Sequence, residues 1–406
     1  MSKLIKNSAW SLFAQAGKIT TQASLFVLLA RGFGVYEFGL YASIFSISQL
    51  VYNFSGLGTH STMVMRVSRR PALLNIYIWT PILCTLVVGS ILVSLLSFFI
   101  AINYNINFFS IVLITITELI LYRIIDIIAS AWQSLEDIKK GAILYLIMGC
   151  CRFTLAVILF FSGNMNIDVW VLFNFILTAI VAISSLYIMY CQKNLNFKKI
   201  NWSQKEVIKG LSFSFSNSSQ SINANVDKVI LSKLGSLSDV GIYSVAYRVI
   251  QMALLPILAV FQATYPRYFK AGSNGLRDTL SFSKKISLPI IGYGLLTTLI
   301  IIFLSPIIPV LLGDQYKFSI KYIQYLAILP LIQSIQYLLG DAMSGAGFQS
   351  VRAIMQITSS TTLILLSLLL VPWCGVFGSI FSVLIAEVLL VIMYIFVIAY
   401  FLRVSK

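Results

Sequence analysis

The 406-residue chain is 59% hydrophobic and 10% charged, with a mean hydropathy of +0.91, a balance that excludes a soluble globular domain and leaves a polytopic membrane protein. Its formal net charge of +16 does not mark a nucleic-acid partner, because no basic stretch is interleaved with aromatics at a recognisable spacing. One histidine, His60, and five cysteines without a CxxC pair give no basis for a metal centre, a charge-relay triad or a cofactor.

Spans of about 20 apolar residues cross a bilayer core. Taken in chain order, such runs are expected at 8–30, 38–58, 72–102, 107–131, 142–162, 166–191, 211–234, 240–265, 286–312, 319–344, 351–371 and 376–402, twelve in all. The first is expected to be a retained helix, since the apolar run before Ala14-Gln15-Ala16 is too short for a signal peptide. Its polar face carries Ser11, Gln15, Lys18 and Gln22. With loops assigned alternately to two sides, one side collects twenty Lys and Arg residues, and the other only Arg31, Lys233, Lys317 and Lys321. That asymmetry follows the positive-inside rule and predicts both termini in the cytoplasm. The five cysteines all fall in or at the ends of spans and are read as small buried hydrophobes.

The polar stretch 193–209 divides the spans six and six. It predicts an N-terminal six-helix bundle over 1–192, a basic cytoplasmic connector over 193–209 and a C-terminal six-helix bundle over 210–406. An offset of 202 residues brings Gly39-Leu40-Tyr41 onto Gly241-Ile242-Tyr243, Glu37 onto Asp239, Arg31 onto Lys233, Gln15 onto Asn217 and Gln49 onto Gln251. Both copies then enter the membrane in the same direction. The fold expected is an all-α polytopic membrane protein of twelve transmembrane helices in two bundles, related by pseudo-two-fold symmetry about the membrane normal, with a cavity between them.

The seventh span makes a wet cavity necessary in this reading. Ser214, Asn217, Ser221, Asn225 and Lys228 share one helical face, and Gln220, Asn223 and Asp227 widen it. A helix this polar is stable in hydrocarbon only against protein or trapped water. Ten ionisable residues fall inside spans: Lys18, Arg123, Arg152, Lys228 and Arg248, against Glu118, Asp126, Asp227, Asp341 and Glu387. Arg123 and Asp126 stand three apart and can neutralise each other. Asp341 lies near a span end, where water reaches it. Lys18, Arg152, Lys228 and Arg248 lack an acid one turn away on their own helix, and Asp227 projects about 100 degrees from Lys228. These four cations are the candidate anion ligands, suited to a diphosphate, although pairs across helices remain open. Gln15, Gln22, Asn217, Ser221 and Asn225 are candidate partners for sugar hydroxyls. Glu118, Asp227 and Glu387 are candidate sites for a coupling proton or sodium ion.

Several stretches together resemble the bacterial O-antigen repeat-unit flippases of the multidrug/oligosaccharidyl-lipid/polysaccharide exporter superfamily. They are Asn7-Ser8-Ala9-Trp10, Leu28-Leu29-Ala30-Arg31, Tyr36-Glu37-Phe38-Gly39-Leu40-Tyr41, Gly56-Leu57-Gly58 with Arg66, Asn225-Val226-Asp227-Lys228, and Gly241-Ile242-Tyr243-Ser244. The resemblance implies a non-enzymatic transporter in the bacterial inner membrane. Its cargo would be an undecaprenyl-diphosphate-linked oligosaccharide, moved from the cytoplasmic to the periplasmic leaflet by alternating access for O-antigen and lipopolysaccharide biosynthesis. Lys18, Arg31, Arg66, Lys228 and Arg248 occupy the matching charge positions. A glycan polymerase and a chain-length regulator are the candidate protein partners beside the bilayer itself. The alternatives are a multidrug or metabolite exporter of the same superfamily and, further off, a membrane glycan polymerase. Enzymes of that last kind carry a sizeable outer loop, which these short connections do not supply.

Overall fold

The computed structural model describes residues 2–104, 106–195, 204–273 and 275–404, with the side chains of 2–16, 18, 19, 138, 205, 212, 216, 217, 219, 220, 262, 263 and 266 outside the description. The described chain is all-helical and contains no strand. Nine of its helices are long and apolar enough to cross a membrane. Their outer faces are what a lipid solvent selects: Leu95, Phe98 and Ile102, or Leu296, Leu299 and Phe303, stand exposed in rows one helical turn apart.

Three of the twelve expected spans are not among those nine as separate helices, each for a physical reason. The runs 8–30 and 38–58 lie in one helical stretch, α1 (Ser2–Val51), bent where Gly34 takes a left-handed φ of 72°. The run 107–131 is interrupted. Helix α5 (Phe108–Ile116) passes into a π-turn, Thr117–Leu121, before α6 (Tyr122–Ser134) begins. The run 211–234 sits inside α9 (Gln204–Leu234), whose polar face keeps its hydropathy low.

Contacts divide the chain into two compact units, Met1–Asn225 and Val226–Lys406. The expected connector at 193–209 includes residues 196–203, which lie outside the described residues.

In the first unit α6 is the central element. It packs on α2 (Thr59–Arg69), α4 (Trp79–Asn103), α7 (Ile138–Phe161) and α8 (Ile167–Lys193), and α1 runs along α7. Its buried Ile124, Ile125, Ile128 and Trp132 meet Met63, Val67, Ile82 and Met189 in one apolar core. Between α1 and α2 the chain makes a tight break, with Leu57 (φ 48°) and Gly58 (φ 61°) both left-handed. Gly58 also lies against the backbone of Gly210, so that a Cβ there would strike its carbonyl oxygen. Gly58→Ala is therefore expected to cost about 2–4 kcal/mol, combining backbone strain with overpacking that no side-chain rotation relieves. A thermal melt in detergent checks this against Gly292→Ala, where an added Cβ meets nothing within 4 Å.

In the second unit α14 (Leu329–Gly345) is central, packed on α10 (Leu237–Gly272), α11 (Leu276–Leu304) and α16 (Val376–Val404). Helix α15 (Gln349–Cys374) pairs with α16, and Met343, Met355, Leu390 and Tyr394 form the core beneath. Helix α11 begins ten residues before the expected 286–312 span, because its first turns carry Arg277, Lys284 and Lys285 and contribute nothing to an apolar run. Of the cysteines only Cys84 is buried, and all five are unbridged; Cys150, Cys191 and Cys374 are exposed rather than core residues.

Candidate functional site

The first unit holds a buried polar cluster built on the π-turn. That turn shifts the helical register and places Glu118, 3% exposed, inside the unit. Glu118 Oε2 accepts from Gln49 Nε2 at 3.3 Å, and Oε1 faces Arg152 Nη2 at 3.4 Å. Arg152 also donates through Nε to Asn174 Oδ1 at 2.8 Å and lies 5.7 Å from the centroid of the Tyr122 ring. The acid–base contacts are long beside the usual range of about 2.7–2.9 Å, so the pair is loosely engaged.

One turn on, Asp126 accepts from the hydroxyls of Tyr52 and, at 2.7 Å, Tyr145. Arg123 is not its ion-pair partner, contrary to the i, i+3 expectation. The guanidinium stands 4.8 Å from the Tyr52 ring centroid, and its Nη2 contacts His60 Nδ1 at 2.9 Å. Tyr52 thus separates the two charges, one on its face and one at its hydroxyl.

The polar face of α9 is partly occupied by packing inside the first unit. Ser214 Oγ donates to the Asn53 carbonyl at 2.7 Å, and Asn53 Nδ2 donates to Ser221 Oγ at 3.1 Å. Asn225 Nδ2 donates to the Ser221 carbonyl at 3.0 Å. Near its start, Arg66 Nε donates to Glu206 Oε1 at 3.1 Å; this exposed guanidinium is held above its ordinary pKa by that carboxylate. Gln22 is partly exposed. The side chains of Gln15, Lys18 and Asn217 lie outside the described residues.

In the second unit Asp227 is fully buried. It accepts from the Tyr243 hydroxyl, and its Oδ1 takes the Lys228 backbone N–H at 2.8 Å. Lys228 Nζ lies 3.8 Å from the same carboxylate and 4.1 Å from the Tyr247 ring centroid. The angular separation of residues 227 and 228 is real, yet the lysine stem is long enough to fold back across it. Arg248, next to Tyr247 on α10, acts electrostatically on Lys228. Glu387 Oε1 accepts from Gln333 Nε2 at 2.9 Å, while Oε2 is buried with no hydrogen-bond partner among the described residues. Asp341 is paired rather than solvated, with Arg352 Nη1 at 2.9 Å; the same nitrogen donates to Ser344 Oγ at 2.8 Å.

Of the expected site residues, the structure thus joins Glu118 to Arg152, Asp227 to Lys228, and Ser221 to Asn225. Glu387 stands in a separate cluster. Asn174, Tyr52, Tyr145, Tyr243 and Gln333 were not singled out from sequence. The repeated Gly-apolar-Tyr motif was the available signal: Tyr41 lies in the field of Glu118 and Arg152, and its counterpart Tyr243 binds Asp227. No group of three or more His, Cys, Asp or Glu residues that could hold a metal occurs among the described residues.

Among solved structures, the chain is similar to a multidrug resistance MATE family transporter of the MOP superfamily in an inward-facing conformation. The TM-score is 0.80 at 11% identity, covering 96% of each chain. It is also similar to such a transporter in an outward-facing conformation (TM-score 0.69, 12% identity, 98% of this chain and 96% of the other). A third similar structure is the MATE multidrug transporter DinF-BH in complex with rhodamine 6G (TM-score 0.70, 16% identity, 98% and 95%). These likenesses establish a MATE-like fold. No curated protein matches the sequence. Residues 4–271 match the family described as polysaccharide biosynthesis protein, and a multi-span helical chain matched over that length belongs to that family of membrane transporters.

Proposed function

We propose that the chain is a flippase. Its cargo in this reading is an undecaprenyl-diphosphate-linked oligosaccharide, such as an O-antigen repeat unit, carried from the cytoplasmic to the periplasmic leaflet of a bacterial inner membrane. The observation that supports this most is the pairing of a polysaccharide biosynthesis family with the fold of MOP-superfamily exporters: the family supplies a glycan, and the fold supplies passage across a bilayer. We read the helices as twelve spans in two six-helix bundles with both termini cytoplasmic, working by alternating access through a cationic chamber. The lipid tail stays in hydrocarbon while the polar headgroup crosses in water, avoiding the desolvation that makes unaided flipping slow.

In this proposal Lys18, Arg152, Lys228 and Arg248 hold the diphosphate. Gln15, Gln22, Asn217, Ser221 and Asn225 meet sugar hydroxyls. Glu118, Asp227 or Glu387 carries a coupling proton or sodium ion. Glu387 is the best supported of the three, because one of its carboxylate oxygens is buried and has no hydrogen-bond partner among the described residues. A glycan polymerase and a chain-length regulator are the proposed partners.

The second reading, a multidrug exporter, draws on the DinF-BH structure, whose ligand is rhodamine 6G. Proteoliposomes loaded with fluorescent lipid-linked oligosaccharide separate the two. The flippase reading expects headgroup translocation above that of protein-free vesicles, reduced about tenfold or more by Lys228→Gln with Arg248→Gln, roughly one charge-assisted contact. Transport of the rhodamine dye with no movement of the glycan lipid would establish the exporter instead.

A further inference from the structure

We propose that His60 is a proton-binding site that fastens α2 to α6 while neutral and lets α2 go when protonated. The inference is independent of which substrate the protein carries.

The contact itself dictates the protonation state. His60 Nδ1 lies 2.9 Å from Arg123 Nη2. A guanidinium has only donors and keeps its charge at any physiological pH. The imidazole must therefore accept at Nδ1, carry its single proton on Nε2, and be neutral. Nε2 then sits 3.2 Å from Ser61 Oγ, where its N–H has an acceptor. A second proton, on Nδ1, would set N–H against N–H and cation against cation.

Among the described residues, nothing next to the ring absorbs that charge. On α6, Arg123 is 2% exposed, and Asp126 is already taken by Tyr52 and Tyr145. On the α4 side Cys84 is hydrogen-bonded to Thr59, the residue before His60. From the short helix Leu74–Tyr77, Tyr77 acts on Arg66, and Arg66 in turn engages Glu206 of α9. Lys209 immediately precedes Gly210, the residue packed on Gly58, and adds another cation on that side. The acids near α2 are thus engaged elsewhere, and the imidazole's own charged neighbour is a cation.

Helix α2 is also built to move as a piece. At one end lie the left-handed Leu57 and Gly58; at the other, Arg70 is extended (φ −144°, ψ 93°) and is followed by Pro71. His60 is in the first turn of this 11-residue segment, so its bond to Arg123 anchors the end beside the Leu57–Gly58 break.

The direction of the pH effect follows from linkage. Burial and the adjacent guanidinium push His60 down to about 3 in the fastened state, whereas a released imidazole titrates near about 6.5. The fastened state is therefore fully favoured above about pH 6.5. It loses about tenfold in relative population for each pH unit below that, down to about pH 3.

A single histidine makes the test direct. Full-length protein carrying a histidine-free purification tag, labelled with 15N-histidine, gives one imidazole to follow by NMR. The expected result is the Nε2–H tautomer at pH 7.5 and a titration midpoint at least about 1.5 pH units below that of Arg123→Gln. Amide exchange across 59–69, corrected for intrinsic rate, is expected to rise about tenfold between pH 7.5 and 5.5 in the native protein. It should stay flat in His60→Gln, which retains a neutral acceptor. An Nδ1–H tautomer, a midpoint unmoved by Arg123→Gln, or an equal rise in His60→Gln would each overturn the proposal.

Discussion

Glu118→Leu is expected to destabilise the protein by about 3–5 kcal/mol, among the largest effects of any single substitution in the first unit. The change leaves the Arg152 guanidinium buried beside Asn174 and the Tyr122 ring with its carboxylate gone. Both side chains of the native pair are largely withdrawn from water, at 13% and 4% exposed. A guanidinium cannot escape this by losing its proton. The same geometry predicts a small penalty for removing both charges. At 3.4 Å the pair recovers little of what its desolvation costs, so Glu118→Leu with Arg152→Met should melt within about 1 kcal/mol of the native protein. Thermal midpoints in detergent for the two singles and the double form the cycle that checks this. Single and double variants melting together would mean that Glu118 does not compensate Arg152.

Which residues lie in the membrane was legible from residue type alone, because lipid imposes a long apolar run that few other environments require. How those runs are divided was less so. The break at Gly34 and the π-turn at Thr117–Leu121 are backbone events inside apolar sequence, and hydropathy is blind to them. The polar constellations were legible as a list of charges and obscure as pairs. Helical spacing proposed Arg123 with Asp126 and discounted Asp227 with Lys228; the structure makes the opposite assignment in both cases. Spacing locates Cβ atoms, whereas tyrosine hydroxyls and a four-carbon lysine stem reach several ångströms beyond them. Residues such as Asn174 and Tyr145 were missed because each is a single polar group in an apolar helix. Only a neighbouring helix gives it a role.

Asp227→Ala should produce a loss of similar size in the second unit but with a different dependence on pH, which separates an ammonium from a guanidinium. Asp227 is fully buried and holds together the Tyr243 hydroxyl, the Lys228 amide and the Lys228 ammonium. Without it, the face of Tyr247 at 4.1 Å offsets only about 0.5–2 kcal/mol of the charge's burial, against a cost of about 3–5 kcal/mol. A lysine can shed its proton, and Arg152 cannot. The deficit of Asp227→Ala relative to the native protein is therefore expected to shrink as pH rises from 7 to 9.5, while that of Glu118→Leu stays constant. Replacing Lys228 as well, with methionine, should remove the pH dependence and recover most of the loss. Melting curves for the three variants across that range decide the matter: a deficit in Asp227→Ala that is independent of pH would show that the carboxylate acts through Tyr243 and not through the lysine charge.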